Sequence, residues 1–306
     1  MNYTLHQLKV FLKVSQTLSI TKAAGDLHLS QPAVSIQIKN LQDQFEVPLI
    51  EIIGRKIFIT PFGKEIAGAA GRIIQEVESI NSKAAAYKGE LIGNLNITAV
   101  STGKYVMPYF LSDFLKEHPG LDLVLDVTNR ARVIESLEKN EVDFALVSLL
   151  PDNMQVEQID LIDNKLFLVG SNQEFTSTKQ NPDILTKVPL IFRESGSGTR
   201  KVMERFINQH NYKVTTRLEL TSNEAVKQAV IAGLGYSIMP LIGIRNELNR
   251  GDLKIIPVEG FPIRSTWKLI WLKNKSLSPA AASYLKYLKK KKDKIILRHF
   301  SEVDNI

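Results

Sequence analysis

The sequence predicts an N-terminal all-α winged helix-turn-helix with a long linker helix, followed by a C-terminal α/β domain of two lobes. Three observations predict this fold class. Residues 20–45 have the pattern of two short helices joined by a tight turn, residues 60–88 carry apolar side chains in heptad spacing, and strands alternate with helices from residue 91 onward. Such alternation is typical of a mostly parallel, doubly wound sheet. Its spread over about 200 residues favours two small lobes over one sheet.

The helix-turn-helix is predicted from its caps and from one apolar stripe, with a further helix at residues 4–16 packed behind it. Ser19 and Ser30 are suitable N-caps, and Pro32 fits the first turn of the second helix, where no N–H is needed. The stripe on that helix consists of Val34, Ile38, Leu41 and Phe45. A helix-turn-helix places the opposite, polar face in the DNA major groove. The DNA-binding candidates there are Gln31, Pro32, Ser35, Gln37 and Lys39. An ordinary amphipathic hairpin with a solvated face is the alternative.

Residues 50–59 contain two apolar runs on either side of Gly54, Arg55 and Lys56. This pattern predicts a β-hairpin, the wing, with Arg55 and Lys56 at its tip. At that place both cations are candidates to contact a phosphate or the minor groove of DNA. A charged hairpin tip without a ligand is the alternative.

The linker helix is predicted to begin with Thr60 as its cap and Pro61 at its first position, and to end before Gly89. Its apolar residues follow steps of four and three over three heptads, which indicates a helix–helix seam rather than packing on one domain. The seam residues are Ile66, Ala70, Ile73, Val77, Ile80, Ala84 and Tyr87. We expect this helix to form a homodimer, because paired recognition helices suit a two-fold DNA site.

The C-terminal domain is predicted from its alternating segments. Strands are expected at 91–100, 121–127, 143–148, 166–170, 189–192, 216–220, 236–239 and 267–272. Helices are expected at 105–117, 131–140, 199–209, 223–232, 241–249 and 278–290.

Ligands of open α/β sheets bind beyond the carboxyl ends of strands, beside helix N-termini. Three stretches lie there, at 101–104, at 148 and at 193–200, and residues 221–223 form a weaker fourth. The effector-binding candidates are Ser101, Thr102, Ser148, Arg193, Ser195, Gly196, Ser197, Gly198, Thr199 and Arg200. Small residues let backbone N–H groups approach a ligand, and an arginine suits a carboxylate or phosphate. The sequence therefore predicts a site for a small anion, although flexible helix caps are the alternative.

The first ninety residues resemble the DNA-binding end of the LysR-type transcriptional regulators. The matching pieces are Leu8-x-x-Phe11, Ser19-x-x-x-Ala23-Ala24-x-x-Leu27, Leu29 to Ser35, Ile38-x-x-Leu41 and Thr60-Pro61-x-Gly63. The resemblance continues more loosely to about residue 290, and the GSGTR run at 196–200 is similar to that of regulators of carbon fixation and of sulfur assimilation. Two positions depart from the family pattern. Ile36 stands where the family usually has arginine, and the wing entry at 49–53 is more apolar than usual.

The resemblance implies a winged helix-turn-helix at 1–59, a dimerisation helix at 60–88 and an effector domain like a periplasmic binding protein. It places lobe I at 91–163 and 267–297, and lobe II at 164–266. It also implies the partners: double-stranded operator DNA, a small-molecule effector in the cleft between the lobes, RNA polymerase, and further copies of the chain in a dimer or tetramer.

The amino-acid composition further narrows the class of protein and the chemistry that this chain can perform. The 306 residues include no cysteine, which removes disulfide and thiol chemistry, and the formal charge of +7 is compatible with nucleic acid. We expect a cytoplasmic location without a membrane segment, because neither a signal-peptide pattern nor a long apolar run is present. The five histidines do not have metal-ligand spacing, so we expect no metal and no cofactor.

Two other functions remain to be compared with a transcription regulator. A solute-binding protein has a similar lobed fold, but the helix-turn-helix and the missing signal-peptide pattern argue against it. An enzyme with a hydrolase-like or transferase site at 193–200 is the second. The run is not a Walker P-loop or a nucleophile elbow, because Ser195 and Thr199 stand where a GxSxG motif needs glycine.

Overall fold

The computed structural model describes residues 2–54, 56–86, 90–171 and 179–301. The chain divides into two compact units, Met1–Gly93 and Asn94–Ile306. Each unit has its own hydrophobic core, and the two are described separately below.

The N-terminal unit is a helix-turn-helix with a β-hairpin and a long helix. Its elements are α1 (Leu5–Thr17), α2 (Ile20–Asp26), α3 (Gln31–Gln42), β1 (Ile50–Ile53), β2 (Lys56–Ile59) and α4 (Pro61–Ala86). Caps determine where the short helices begin: the Ser19 hydroxyl accepts from Lys22 N at 3.2 Å, and that of Ser30 from Ala33 N at 3.3 Å. Phe11, Val34 and Leu41 are fully buried in the core that these helices share.

Gly63 permits the close approach between the start of α4 and the segment before β1. A Cβ atom at this position would lie 2.0 Å from the carbonyl oxygen of Leu49, a distance too short for any residue with a side chain. The Thr60 hydroxyl accepts from Gly63 N at 2.9 Å and donates to Pro48 O at 2.6 Å, so it caps α4 and holds the segment before β1. The Thr60-Pro61-x-Gly63 motif therefore fixes how the hairpin meets the long helix.

The C-terminal unit contains two lobes joined by long strands. Its strands are β3 (Gly93–Val100), β4 (Leu121–Thr128), β5 (Phe144–Val147), β6 (Val156–Ser171), β7 (Pro189–Arg193), β8 (Thr215–Leu220), β9 (Ser237–Pro240), β10 (Leu253–Ile255) and β11 (Ile263–Leu272). Its α-helices are α5 (Met107–Glu117), α6 (Arg130–Glu138), α7 (Ile184–Lys187), α8 (Gly198–Gln209), α9 (Asn223–Ile231), α10 (Arg245–Arg250) and α11 (Pro279–His299). Short 3₁₀ helices occupy Ser101–Tyr105 and Leu241–Gly243.

The sheet is mixed rather than mostly parallel, which corrects the prediction from sequence. β3 pairs with β5 in parallel, but β11 is antiparallel to both β5 and β6, and β7 and β8 form a separate two-stranded parallel sheet. The strand order is β10-β6-β11-β5-β3-β4, and β9 pairs with β6. β6 and β11 run side by side from one lobe into the other. The lobes are therefore joined by the strands themselves, without a crossover helix at this point. Their register shifts between Thr266 and Lys268, at Trp267.

Each lobe has its own aromatic or aliphatic core. In lobe I, Phe110, Phe114 and Tyr284 are fully buried, and Phe300 stacks on Phe110 with ring centroids 5.7 Å apart. This contact continues the packing of α11 beyond the predicted end of that helix at residue 290. In lobe II, Leu168 and Ile238 lie in a core formed with α8. No helix among the described residues is long and apolar enough to cross a membrane.

Candidate effector cavity and DNA interface

Strand ends and helix N-termini of both lobes enclose one cleft in the C-terminal unit. Its empty space is about 340 Å³, including the part that is open to solvent. The lining residues are Val100, Ser101, Thr102, Asn129, Arg130, Ser148, Asn164, Leu166, Arg193, Ser197, Gly198, Thr199, Val202, Asn223 and Trp267. The lobes also touch beside it, where Ala131 N donates to Gly196 O at 3.1 Å. The fold therefore brings together groups that are far apart in the sequence.

The N-terminus of α8 forms one side of this cleft. Ser197 is buried and caps the helix, since its hydroxyl accepts from Arg200 N at 3.4 Å. Gly198 begins the helix, and a Cβ atom there would lie 3.7 Å from two side-chain atoms of Arg130. Thr199 follows, half-buried, in the first turn. The first turn of a helix presents N–H groups and partial positive charge, which favour an anion.

Arg193 is buried and is almost fully occupied by neighbouring side chains. Its Nε and Nη2 donate to the two carboxylate oxygens of Glu194 at 2.7 and 2.9 Å, and its Nη1 donates to Asn223 Oδ1. Its Nη2 also lies 3.5 Å from Ser101 Oγ in the other lobe. Because the carboxylate of Glu194 compensates its charge, Arg193 contributes little net positive charge to the cavity. Its main role is to hold neighbouring residues of the cavity wall together by hydrogen bonds.

Arg130 also lines the cavity, and unlike Arg193 it donates its hydrogen bonds to neutral acceptors. Its Nε and Nη2 donate to the carbonyl oxygens of Leu149 and Leu150 at 3.3 and 2.8 Å. Burial lowers the pKa of Arg130, and the nearby carboxylate of Asp152 opposes that shift. Asp152 itself is bound by Lys201 at 2.9 Å. A guanidinium stays charged at neutral pH even with a lowered pKa, so Arg130 gives this cavity positive charge.

Three lining side chains carry buried polar atoms without a hydrogen-bond partner among the described residues. They are the donors Asn223 Nδ2 and Trp267 Nε1 and the acceptor Asn164 Oδ1. Asn164 Nδ2 is satisfied by Ser265 Oγ at 3.0 Å. Buried polar atoms are normally paired, and an unpaired one costs about 1–3 kcal/mol. A bound molecule with both acceptors and a donor would satisfy such atoms.

Seven of the ten residues predicted for this site line the cavity. They are Ser101, Thr102, Ser148, Arg193, Ser197, Gly198 and Thr199. The other three lie outside its lining. Ser195 is exposed, Gly196 uses its carbonyl for the contact between the lobes, and Arg200 is turned to Glu204 at 2.6 Å and to Glu219. Arg200 carries two acidic partners on its own lobe, which explains why it does not turn into the cleft.

Sequence reasoning missed four lining residues with polar side chains and gave a fifth only minor weight. Asn129 and Arg130 follow the carboxyl end of β4, so the strand-end rule that selected Ser101 would also have found them. Asn223 lies in the stretch that ranked fourth. Asn164 and Trp267 lie inside β6 and β11, where no local pattern distinguishes a cavity residue from a core residue.

In the N-terminal unit, α3 presents a continuous exposed face. Four of the predicted DNA-binding residues are exposed there, namely Gln31, Pro32, Ser35 and Lys39. Gln37 is only half-buried and lies between the exposed face and the core. Lys56 is exposed at the start of β2, whereas Arg55 lies outside the described residues. Ile36 is 56% exposed in the middle of this face.

The predicted seam on α4 divides into a buried and an exposed part. Ala70 is 1% exposed and packs in the core with α1, and Ile66 is half-buried against the same core. Ile73, Val77 and Ile80 are exposed by 44%, 36% and 59%, and Ala84 is also exposed. Tyr87 lies outside the described residues. The exposed apolar stripe of α4 therefore begins at Ile73, because Ala70 is already covered by the core of its own unit.

Both the N-terminal and the C-terminal part of the chain match a known family model. Residues 5–64 match the model of the bacterial regulatory helix-turn-helix proteins of the lysR family, and residues 88–293 match the LysR substrate binding domain. The chain belongs to the LysR family of transcriptional regulators, with a DNA-binding helix-turn-helix and an effector-binding domain.

Relatives point to a narrower group within the family. The HTH-type transcriptional activator CmpR of Synechocystis sp. is 38% identical over 289 residues, which cover 94% of this chain and 95% of CmpR. The RuBisCO operon transcriptional regulator of Acidithiobacillus ferrooxidans is 39% identical, over 93% of each chain. The regulatory domain of Synechocystis CcmR, solved in complex with 2-PG, is 31% identical, has a TM-score of 0.63 and covers 65% of this chain and 97% of that domain. The resemblance to carbon-fixation regulators is thereby confirmed.

Proposed function

We propose that this chain is a cytoplasmic, homo-oligomeric regulator that places α3 in the major groove of its operator and binds a small hydroxylated anion between its two lobes. The observation that carries the effector half of the proposal is the set of polar groups in the cavity. Arg130, the first turn of α8 and the hydroxyl of Thr199 all suit an anion, and Asn164 Oδ1 needs a donor such as a ligand hydroxyl.

The two lobes would respond to this anion together. Arg130 lies on lobe I and Thr199 on lobe II, so a ligand that contacts both favours the closed arrangement of the cleft. A ligand shifts such an equilibrium only by its difference in affinity for the two states. In an oligomer, closure of the lobes would then change how paired recognition helices and RNA polymerase meet the promoter.

We assign no catalytic role to the cavity. The residues described as its lining include no histidine, and the buried hydroxyl of Ser197 is engaged as the cap of α8. A nucleophilic serine needs a base within hydrogen-bond reach. Ser197 therefore supports a binding site rather than an acyl-transfer site.

Calorimetric titration of the full-length protein tests the effector proposal. The probes are 2-PG, the compound bound to the CcmR regulatory domain, and inorganic phosphate. Thr199→Ala removes one hydroxyl donor, and a hydrogen bond to a charged group contributes about 1.5–3 kcal/mol, so we expect the affinity of the better probe to fall tenfold or more. Thr216→Ala, at an exposed position on β8, is the matched control and should bind like the wild type.

Two results would contradict the proposal. One is the absence of binding for both anions at millimolar concentration. The other is equal affinity for wild type and Thr199→Ala. A shift assay on genomic fragments tests the regulatory half separately: salt-sensitive retention of a few fragments supports an operator-binding protein, and uniform retention of all fragments argues against it.

A further inference from the structure

The exposed face of α3 contains one large aliphatic side chain. Pro32, Ser35, Ile36 and Lys39 are all exposed, and their spacing of three and four residues puts them on one side of the helix. Ile36 lies at the centre of this row and is 56% exposed. The other large aliphatic residues of α3 are buried: Val34 and Leu41 are fully covered and Ile38 is 4% exposed. The helix is thus amphipathic except at Ile36.

A single exposed isoleucine is not unusual by itself. What distinguishes Ile36 is its place on the helix that a helix-turn-helix inserts in the major groove, between residues that suit phosphates and base edges. The major groove carries one apolar group on its base edges, the 5-methyl of thymine. An aliphatic side chain in the centre of a reading face has no hydrogen bond to offer a base and can recognise only that methyl.

We infer that Ile36 is a specificity-determining residue that reads a thymine methyl in each operator half-site. Where an arginine at this position would donate to guanine, the isoleucine selects T·A by apolar contact. This inference rests on the proposed docking of α3. It adds that one base pair in each half-site is recognised through a methyl group alone.

Removal of single methyl groups from the DNA tests this inference. The full-length protein first selects its operator from random duplexes, and each thymine of one half-site is then replaced in turn by uracil, which lacks only the 5-methyl. At one position we expect uracil to weaken wild-type binding about fourfold, the value of one buried methyl-sized group. Ile36→Ala should bind the thymine and uracil forms of that site equally, and Ile36→Val should keep part of the discrimination.

Leu297→Ala is the matched control, because Leu297 is an exposed aliphatic residue, 72% exposed, on α11 of the other unit. It should discriminate thymine from uracil as the wild type does. The inference is overturned if no position responds to uracil, or if every uracil effect persists in Ile36→Ala.

The docking of α3 and the methyl contact of Ile36 would fail in different ways. If Gln31→Ala and Ser35→Ala weaken operator binding while Ile36→Ala behaves as wild type, the docking stands and only the methyl contact is wrong. If none of the three variants changes the affinity, the docking itself is wrong.

Discussion

Ile73→Asp on α4 tests whether the exposed stripe of this helix joins two chains. The three exposed fractions of Ile73, Val77 and Ile80 add to about 1.4 side chains per helix. At about 1.5–3 kcal/mol for a fully buried aliphatic side chain, covering this stripe on both copies contributes about 4–8 kcal/mol. The aspartate removes the contribution of Ile73 and brings two carboxylates into an apolar seam, each at a cost of several kcal/mol. These losses equal or exceed the gain, so we expect monomers.

Light scattering coupled to size exclusion, at about ten micromolar protein, measures the oligomeric state. Arg72→Asp is the control, because Arg72 is an exposed neighbour of Ile73 on the side of the heptad away from the seam. It places a carboxylate on the same helix turn, with a charge change of two units instead of one, and should leave the oligomer intact. Operator affinity should collapse only in Ile73→Asp, since two half-sites are then no longer held together. A native-sized oligomer of Ile73→Asp would refute the assignment of α4 as the dimer helix.

Two further predictions concern operator recognition and pH. Gln31→Ala and Ser35→Ala should each cost about 1–3 kcal/mol of operator affinity if the side chain contacts a base, and a filter-binding titration with selected DNA measures it. Burial raises the pKa of Asp143, although Asn96 N donates to its carboxylate and Lys275 lies near. The folded protein therefore binds a proton that the unfolded chain releases, and stability should fall as pH rises from the ordinary aspartate pKa of about 3.9 through the raised value. Denaturant titrations of wild type and Asp143→Asn should differ by this fall, and parallel curves would show that Asp143 does not titrate in that range.

The N-terminal unit was predictable from sequence because its signals are local. Ser30, Pro32 and the stripe through Leu41 define α3 from its cap to its core face without reference to any distant residue. The exception is Ala70, which has seam spacing but packs on α1. Heptad spacing alone cannot distinguish a partner helix in the same chain from one in a second chain.

The C-terminal unit was predictable where strands are apolar and less so where they are polar. The sequence predicts this strand only at 166–170, but β6 begins at Val156. Its first half lacks an apolar run and an alternating pattern, because Glu157, Gln158 and Asp160 face solvent between the apolar residues. The sequence predicts the last helix at 278–290, yet α11 continues to His299 and buries Ile295. The strand-end rule selects Arg130 as a candidate, but only the folded structure shows that its side chain lies against the first turn of α8 across the cleft, which is a tertiary contact.

The central claim is that an anion in the cavity controls how the protein holds its operator. The most direct test measures energy transfer between dyes at the two operator ends, with and without saturating 2-PG, for full-length wild type and Gly198→Val. A Cβ atom at this position meets Arg130 in ordinary van der Waals contact, so the side chain of valine occupies the space in front of the first turn of α8 and blocks the approach of an anion, while the DNA-binding unit is separate. We predict that 2-PG changes the transfer in the wild-type complex only, and that both proteins bind the operator equally well without it. An equal response of Gly198→Val to 2-PG would contradict the account.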